Sequence, residues 1–147
     1  MESLDAFLPF GHQALRHPAE RRRLDAILLR WATAWQGPRR TLEFTRSHHG
    51  AYLHFNQLIG RTWCQVCTFH AVPRQGVALR GPDPDRMRKS HKLRRIPLDR
   101  SSLDAVFEAW SAHPEARPAG LAVELHLAEA PDEVWEAFLL EALRALG

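Results

Sequence analysis

The chain has 147 residues, of which 45% are hydrophobic and 25% are charged. This composition is that of a globular protein, and it excludes an intrinsically disordered or fibrous chain. A domain of this length buries roughly two-thirds of the surface of its unfolded chain, so it can fold without disulfides or a structural metal. We therefore expect a single domain over residues 1–147.

Charge is distributed unevenly along the chain. Residues 1–100 hold 18 Arg/Lys and 8 Asp/Glu, a net charge of +10, whereas residues 101–147 hold 2 Arg and 9 Asp/Glu, a net charge of −7. Such a division indicates one part that faces a polyanion and one acidic part. The alternative is that the two parts neutralise each other within one fold. Arg supplies 18 of the 20 basic residues, which suits bidentate phosphate contacts, although a GC-rich genome also favours its codons.

The sequence has no pattern typical of export or membrane insertion. Glu2 and Asp5 lie where a signal peptide carries basic residues, and Pro9 interrupts the short apolar patch at Phe7 and Leu8. No apolar run approaches the roughly 18 residues that a membrane-spanning helix needs. The two cysteines, three positions apart, do not form the framework of a secreted disulfide-rich domain. We expect a cytoplasmic protein.

The N-terminal part contains one clear helical pattern. Residues 1–17 are predicted to be a loosely ordered lead-in. From Pro18, which is favoured at the first position of a helix, to the break at Gly37, apolar residues recur at helical spacing. The buried stripe of this predicted helix consists of Leu24, Ile27, Leu28, Trp31 and Trp35.

Alternating apolar and polar residues then predict strands. Residues 42–45 and 51–55 are predicted to pair as a hairpin. A loop is predicted at residues 56–60. A third strand is predicted at 61–72, which is rich in β-branched and aromatic residues, and a short fourth strand at 77–79.

Two helices and one strand are predicted in the C-terminal part. A helix begins near Ser101, a half-buried strand covers residues 121–127, and a last helix opens at Pro131. The order α-β-β-β-β-(β)-α-β-α predicts an α+β fold, a mainly antiparallel sheet of about five or six strands with about three helices packed on it. We expect one core that contains Leu28, Trp31, Phe44, Leu53, Phe107, Trp110, Leu125, Phe138 and Leu139.

The most distinctive short motif is the pentad WCQVC at residues 63–67. It resembles the WCxxC motif of thioredoxin-like oxidoreductases over these five residues alone. The resemblance implies redox chemistry at Cys64, which requires that this cysteine begin a helix, where the helix dipole lowers the thiol pKa. Residues 68–73 are a poor helix start, and no βαβ unit is predicted here, so the context that the motif needs is missing.

A zinc site is the second interpretation of the same segment, because Cys and His ligands in a tetrahedral set suit zinc. In a regular strand Cys64 and Cys67 point to opposite faces, whereas a bulge or turn at residues 65–66 would bring them together. The interpretation that we favour is two small buried hydrophobic residues, with no cofactor and no bound metal. The candidate ligands are Cys64, Cys67, His70 and one of His48, His49 and His54.

The main functional candidate is a basic surface. Residues 80–92 are predicted to be an exposed basic loop, followed by an edge strand at 93–98. Clustered Arg and Lys attract phosphates without sequence preference, and Arg22, Arg23 and Arg30 add to the positive side. The candidate nucleic-acid-binding residues are Arg39, Arg40, Arg80, Arg86, Arg88, Lys89, Lys92, Arg94 and Arg95.

Two further groups of side chains bear on function. Tyr52, Trp63 and Phe69 could stack on single-stranded bases if they are exposed. His54 and Tyr52 share one strand face, and with His48 and His49 of the predicted turn they could form a polar cluster for acid–base chemistry. The interpretation that we favour is exposed histidines on a turn and a strand. The sequence has no nucleophile elbow and no glycine-rich phosphate loop, so we assign no catalytic residue.

These patterns favour a small accessory protein that binds nucleic acid or a nucleoprotein complex through a basic, Arg-rich surface. The alternative is a protein–protein interaction module or an oligomeric structural protein with no role in nucleic-acid binding. A third hypothesis is a zinc-binding module or a small metal-dependent enzyme. No membrane partner is expected.

Overall fold

The computed structural model describes residues 1–82 and 99–147. Within these ranges the chain forms four helices and a six-stranded sheet, so the predicted α+β class is confirmed. The elements are α1 (Glu2–Ala14), α2 (Pro18–Ala34), β1 (Arg40–Ser47), β2 (Gly50–Ile59), β3 (Thr62–Val72), β4 (Gly76–Gly81), α3 (Ser101–Ser111), β5 (Arg117–Ala119), β6 (Ala122–His126) and α4 (Asp132–Leu146). The edge strand predicted at residues 93–98 lies outside the described residues.

The sheet has the strand order β1-β2-β3-β4-β6-β5, and every neighbouring pair is antiparallel. Its register aligns one apolar row across four strands, in which Leu53 lies opposite Phe69, Phe69 opposite Leu79, and Leu79 opposite Leu125. Because successive side chains of a strand alternate between faces, this row defines one buried face of the sheet. We call it the helix face, because the helices pack on it.

Aromatic contacts join the helices to the helix face. Trp31 of α2 and Trp135 of α4 both contact Phe69, with ring centroids 5.2 and 5.6 Å apart. Phe10 of α1 stacks on Phe44 of β1 at 5.8 Å. From α3, Trp110 contacts Trp31 at 6.4 Å, so the four helices share one continuous core with the sheet.

Seven of the nine residues expected in the core are buried, and the other two are partly exposed to solvent. Phe44 is only partly buried, because β1 is an edge strand and α1 covers it with a single ring. Phe107 is 38% exposed. The buried side of α3 consists of Leu103, Val106 and Trp110, and Phe107 lies at the margin of that stripe.

Residues 1–17, expected to be a loosely ordered lead-in, contain the helix α1 (Glu2–Ala14). Its buried residues include Leu4 and Phe7, which follow a helical spacing across the interior Pro9. At Gly11 an added Cβ would lie 2.6 Å from Cδ2 of Leu24, so glycine permits the close approach of α1 to α2. The helix is therefore part of the core.

The loop expected at residues 56–60 is also replaced by regular structure, because β2 continues to Ile59. Asn56 and Gln57 are buried within this strand at 0% and 3% exposure. Their backbone groups are used, since Trp35 Nε1 donates to the Asn56 carbonyl at 2.9 Å and Gln57 pairs with Arg40 of β1. The sequence did not predict this half of the strand because its side chains at positions 56 and 57 are polar.

Candidate functional site

Three of the nine predicted nucleic-acid-binding residues lie in the described part of the chain, namely Arg39, Arg40 and Arg80. The other six fall within residues 83–98, outside the described residues; they are Arg86, Arg88, Lys89, Lys92, Arg94 and Arg95. A surface built from all nine therefore stays a prediction.

Arg39 and Arg40 lie at one end of the sheet, together with Arg61. Arg39 donates to the Leu58 carbonyl at 2.9 Å, and Arg40 donates to Gln57 Oε1 at 2.8 Å. Arg61 is exposed in the turn that joins β2 to β3, where Ile59 pairs with Thr62. We call these three arginines the basic end. Arg61 was not among the residues singled out from the sequence, because only the β2–β3 pairing brings it beside Arg39.

Arg80 lies elsewhere and is partly buried in β4. It faces Thr68 on one neighbouring strand and Glu124 on the other. Its guanidinium donates to the Ala119 carbonyl at 3.4 Å. The register therefore places Arg80 near the middle of the sheet, on the face opposite the helices, which we call the polar face.

Other arginines that the sequence assigned to a positive surface are used inside the fold. Arg23 of α2 donates to Asp132 Oδ1 at 2.5 Å and to the Leu127 carbonyl at 2.6 Å. Arg30 lies two helical turns after Arg23 on α2, and it binds Glu136 of α4 at 2.7 Å. The hydrogen bond and the charge of Glu136 raise the pKa of Arg30. These contacts support the alternative that the basic and acidic parts neutralise each other.

Cys64 and Cys67 lie on the helix face of β3 because the strand contains a bulge. The pairing shifts from Phe55 opposite Cys67 to Asn56 opposite Gln65, so Val66 is an extra residue. Both cysteines are 0% exposed. Burial raises the pKa of the Cys67 thiol well above its usual value.

The bulge brings the two cysteines to one face, but the remaining zinc candidates lie elsewhere. His70 is on the polar face, opposite Tyr52. His48 and His49 are exposed in the β1–β2 turn. In the described ranges no group of three or more His, Cys, Asp and Glu side chains is arranged to hold a metal ion.

His54 was expected to be exposed on its strand. It is instead buried, on the polar face. Its Nε2 lies 2.8 Å from Thr45 Oγ1 and its Nδ1 lies 2.8 Å from Thr68 Oγ1. One imidazole thus links β1, β2 and β3. Because both ring nitrogens are engaged, His54 is suited to a structural role rather than to proton transfer.

His70 has a different environment two residues further along β3. Its Nε2 is buried and has no hydrogen-bond partner among the residues that the structure describes. Burial lowers the pKa of His70, Glu124 partly opposes this, and His126 and Arg80 add to it. Glu124 is itself engaged, since its Oε1 lies 2.5 Å from His126 Nε2. Nε2 of His70 is therefore an unsatisfied polar atom among the described residues.

The three aromatic residues proposed to stack on bases are divided between the two faces. Phe69 is 1% exposed in the core. Tyr52 and Trp63 are partly exposed on the polar face. Tyr52 stacks on His54 with the two ring planes 11° apart. Of these three residues, Tyr52 and Trp63 are accessible for stacking on a ligand.

No family model matches the chain, and neither a curated protein nor a solved structure is significantly similar to it. The helices in the described ranges are all too short or too polar to cross a bilayer.

Proposed function

We propose that this protein is a small accessory protein that binds nucleic acid, or a nucleoprotein complex, with phosphates contacting the basic end. The observation that carries the proposal is the pairing of charges. Arg23, Arg30 and Arg117 each bind an acidic side chain, whereas Arg39 and Arg61 have no carboxylate partner within the described ranges. Unpaired guanidinium groups are the ones available to phosphates.

The course of the chain supports the same location. β4 runs antiparallel to β3, so it is directed toward the end of the sheet that carries Arg61. The sequence that follows β4, residues 83–98, holds six Arg/Lys and two Asp. The sequence that follows β4 is thus basic, and β4 is directed toward the end that carries Arg39 and Arg61. A cytoplasmic location, where nucleic acid is accessible, is part of the proposal.

Two double variants with equal charge changes test the proposal. Arg39→Gln with Arg61→Gln removes two charges from the basic end, and Arg16→Gln with Arg22→Gln removes two exposed charges near the N-terminus of α2, at the other end of the sheet. We expect the first pair alone to weaken nucleic-acid binding and to make the salt dependence shallower, by up to about 0.9 per phosphate contact on duplex. Fluorescence anisotropy over a salt series measures both quantities.

Three outcomes of this experiment are informative. Absence of binding by the parent protein at low salt, where phosphate contacts are strongest, would exclude nucleic acid as the partner. An equal effect of the two double variants would show that net charge, and not the basic end, drives association. Loss confined to the basic-end variant supports the proposal.

A second candidate function is self-association as a protein-interaction module, in which the partner is another copy of this chain. Phe107 is 38% and Leu121 is 71% exposed beside the short edge strand β5. A cavity of about 150 Å³ lies between α3 and this edge, lined partly by Phe107, Pro118 and Val123. Light scattering over a concentration series tests this candidate, and Leu121→Lys should prevent any dimer that forms there.

A further inference from the structure

We propose that the nucleic acid is single-stranded and lies across the polar face, with its bases stacked on Tyr52 and Trp63. This inference rests on the proposed function and specifies its ligand and its surface. Bases in a duplex already stack on one another, whereas unpaired bases are free to stack on protein rings. Aromatic rings that are partly exposed on a sheet face therefore favour single strands over duplex.

The register places the two rings at separate positions along the sheet. Trp63 lies opposite Leu58 of β2, and Tyr52 lies six residues earlier on that strand. At about 3.3 Å per residue, the two positions are roughly 20 Å apart along the strand direction. Each ring would thus hold a different base of one extended strand.

Positive charge lies next to one of these two rings, Trp63. Trp63 follows Arg61 by two residues and neighbours Leu58, whose carbonyl binds Arg39. A base stacked on Trp63 would therefore bring its phosphates next to the basic end. Arg39, Arg61 and Trp63 form one continuous contact surface in this arrangement.

The part of the polar face near Tyr52 carries polar and charged groups. His70 lies opposite Tyr52 in the sheet, and within the described part of the chain its buried Nε2 has no hydrogen-bond partner. The acidic Glu124 is bound to His126 and faces Arg80, so its charge is balanced locally. Glu43 is the other acidic residue of this face, on the edge strand β1.

Binding of matched oligonucleotides tests the inference. A single-stranded DNA, a single-stranded RNA and the corresponding DNA duplex are titrated with the parent protein and with Trp63→Ala, Trp63→Phe, Tyr52→Ala and, as a control, Phe107→Ala. We expect single strands to bind more tightly than duplex. Trp63→Ala and Tyr52→Ala should each weaken single-strand binding by about tenfold or more, the size of one lost stacking contact. Trp63→Phe, which keeps a ring, should retain most of the affinity.

The outcomes separate this inference from the function on which it rests. Equal affinity for duplex and single strands, with no effect of Trp63→Ala or Tyr52→Ala, would overturn the inference and leave nucleic-acid binding intact. No binding to any oligonucleotide at low salt would overturn both. Thermal unfolding of each variant identifies loss of fold. If Trp63→Ala does not fold, the comparison of Tyr52→Ala with Phe107→Ala decides the result.

Discussion

Cys64 and Cys67 owe their shared environment to one residue, Val66. Residues three apart in a regular strand lie on opposite faces, and the extra residue at the bulge restores both cysteines to the helix face. There the thiols are surrounded by apolar side chains, and Cys64 Sγ is 3.8 Å from the Thr62 carbonyl. Burial disfavours the thiolate, which is the reactive form.

We expect Cys67 to be unreactive toward thiol reagents in the native protein. Its pKa is raised by burial, so almost no thiolate forms near neutral pH. Titration with a chromogenic disulfide reagent should detect no rapid reaction in buffer and two thiols after unfolding. Cys67→Ser, which should lower the unfolded count to one, serves as the control. A thiol in the native parent that reacts as fast as in denaturant, and is lost in Cys67→Ser, would contradict the expectation.

Helix α3 is held to the core mainly by Trp110. Its ring stacks on Phe138 with centroids 4.8 Å apart, and its Nε1 donates to the Phe138 carbonyl at 2.9 Å. Trp110 is 0% exposed, while Phe107 on the same helix is 38% exposed. Adjacent turns of one helix therefore contribute very differently to stability.

Substitution of these two aromatic residues should separate their contributions. Trp110→Ala should lower the free energy of unfolding by about 3–5 kcal/mol, as expected for a large buried aromatic residue. Phe107→Ala should lower it by less, about 1 kcal/mol, because part of this ring already contacts water. Denaturant unfolding of both variants measures the difference. A loss below about 1 kcal/mol for Trp110→Ala would mean that α3 is not anchored through this residue.

The elements that could be read from the sequence are those with a complete periodic pattern. The stripe of α2 and the alternation in β6 predicted both elements, and both are present. Helix α1 was missed because Pro9 breaks the expected pattern, although it lies on the exposed side of the helix. The polar end of β2 was missed because Asn56 and Gln57 are uncommon in a strand interior.

The candidate site was harder to predict, because its residues meet only through strand order and register. His70 and His126 become neighbours across Ala78, since β6 pairs on one side with β4, a strand distant from it in sequence. The cluster of His70, Glu124 and His126 therefore has no linear motif. The sequence contains each of these three residues, but it does not show their proximity, which depends on pairing between strands that are distant in sequence.

At the scale of the whole molecule, the charge asymmetry has two components. Part of it is internal, because Arg23 and Arg30 of α2 bind Asp132 and Glu136 of α4 and join the two ends of the chain. These pairs are partly exposed, so each contributes little to stability on its own. Arg39 and Arg61 of the basic end have no such acidic partner among the described residues, which is why we propose that they contact a ligand.

The final prediction concerns the basic residues that follow β4 in the sequence. Replacement of Arg86, Arg88 and Lys89 together by Ala should weaken nucleic-acid binding to a similar degree for all sequences, because phosphate contacts carry no base information. The salt dependence should become shallower by up to about three units on duplex if each residue contacts a phosphate, and by less on single strands. Anisotropy titrations at several salt concentrations give both quantities.

A second triple variant, Arg16→Ala with Arg22→Ala and Arg74→Gly, is the matched control for this experiment. It removes the same charge from exposed positions at the end of the sheet away from the basic end, and glycine suits position 74, where φ is 67°. An equal loss in the two triple variants would mean that binding responds to net charge alone. Unchanged affinity in the first triple variant would exclude those three residues as contacts, and the proposed interface would then be restricted to the basic end and the polar face.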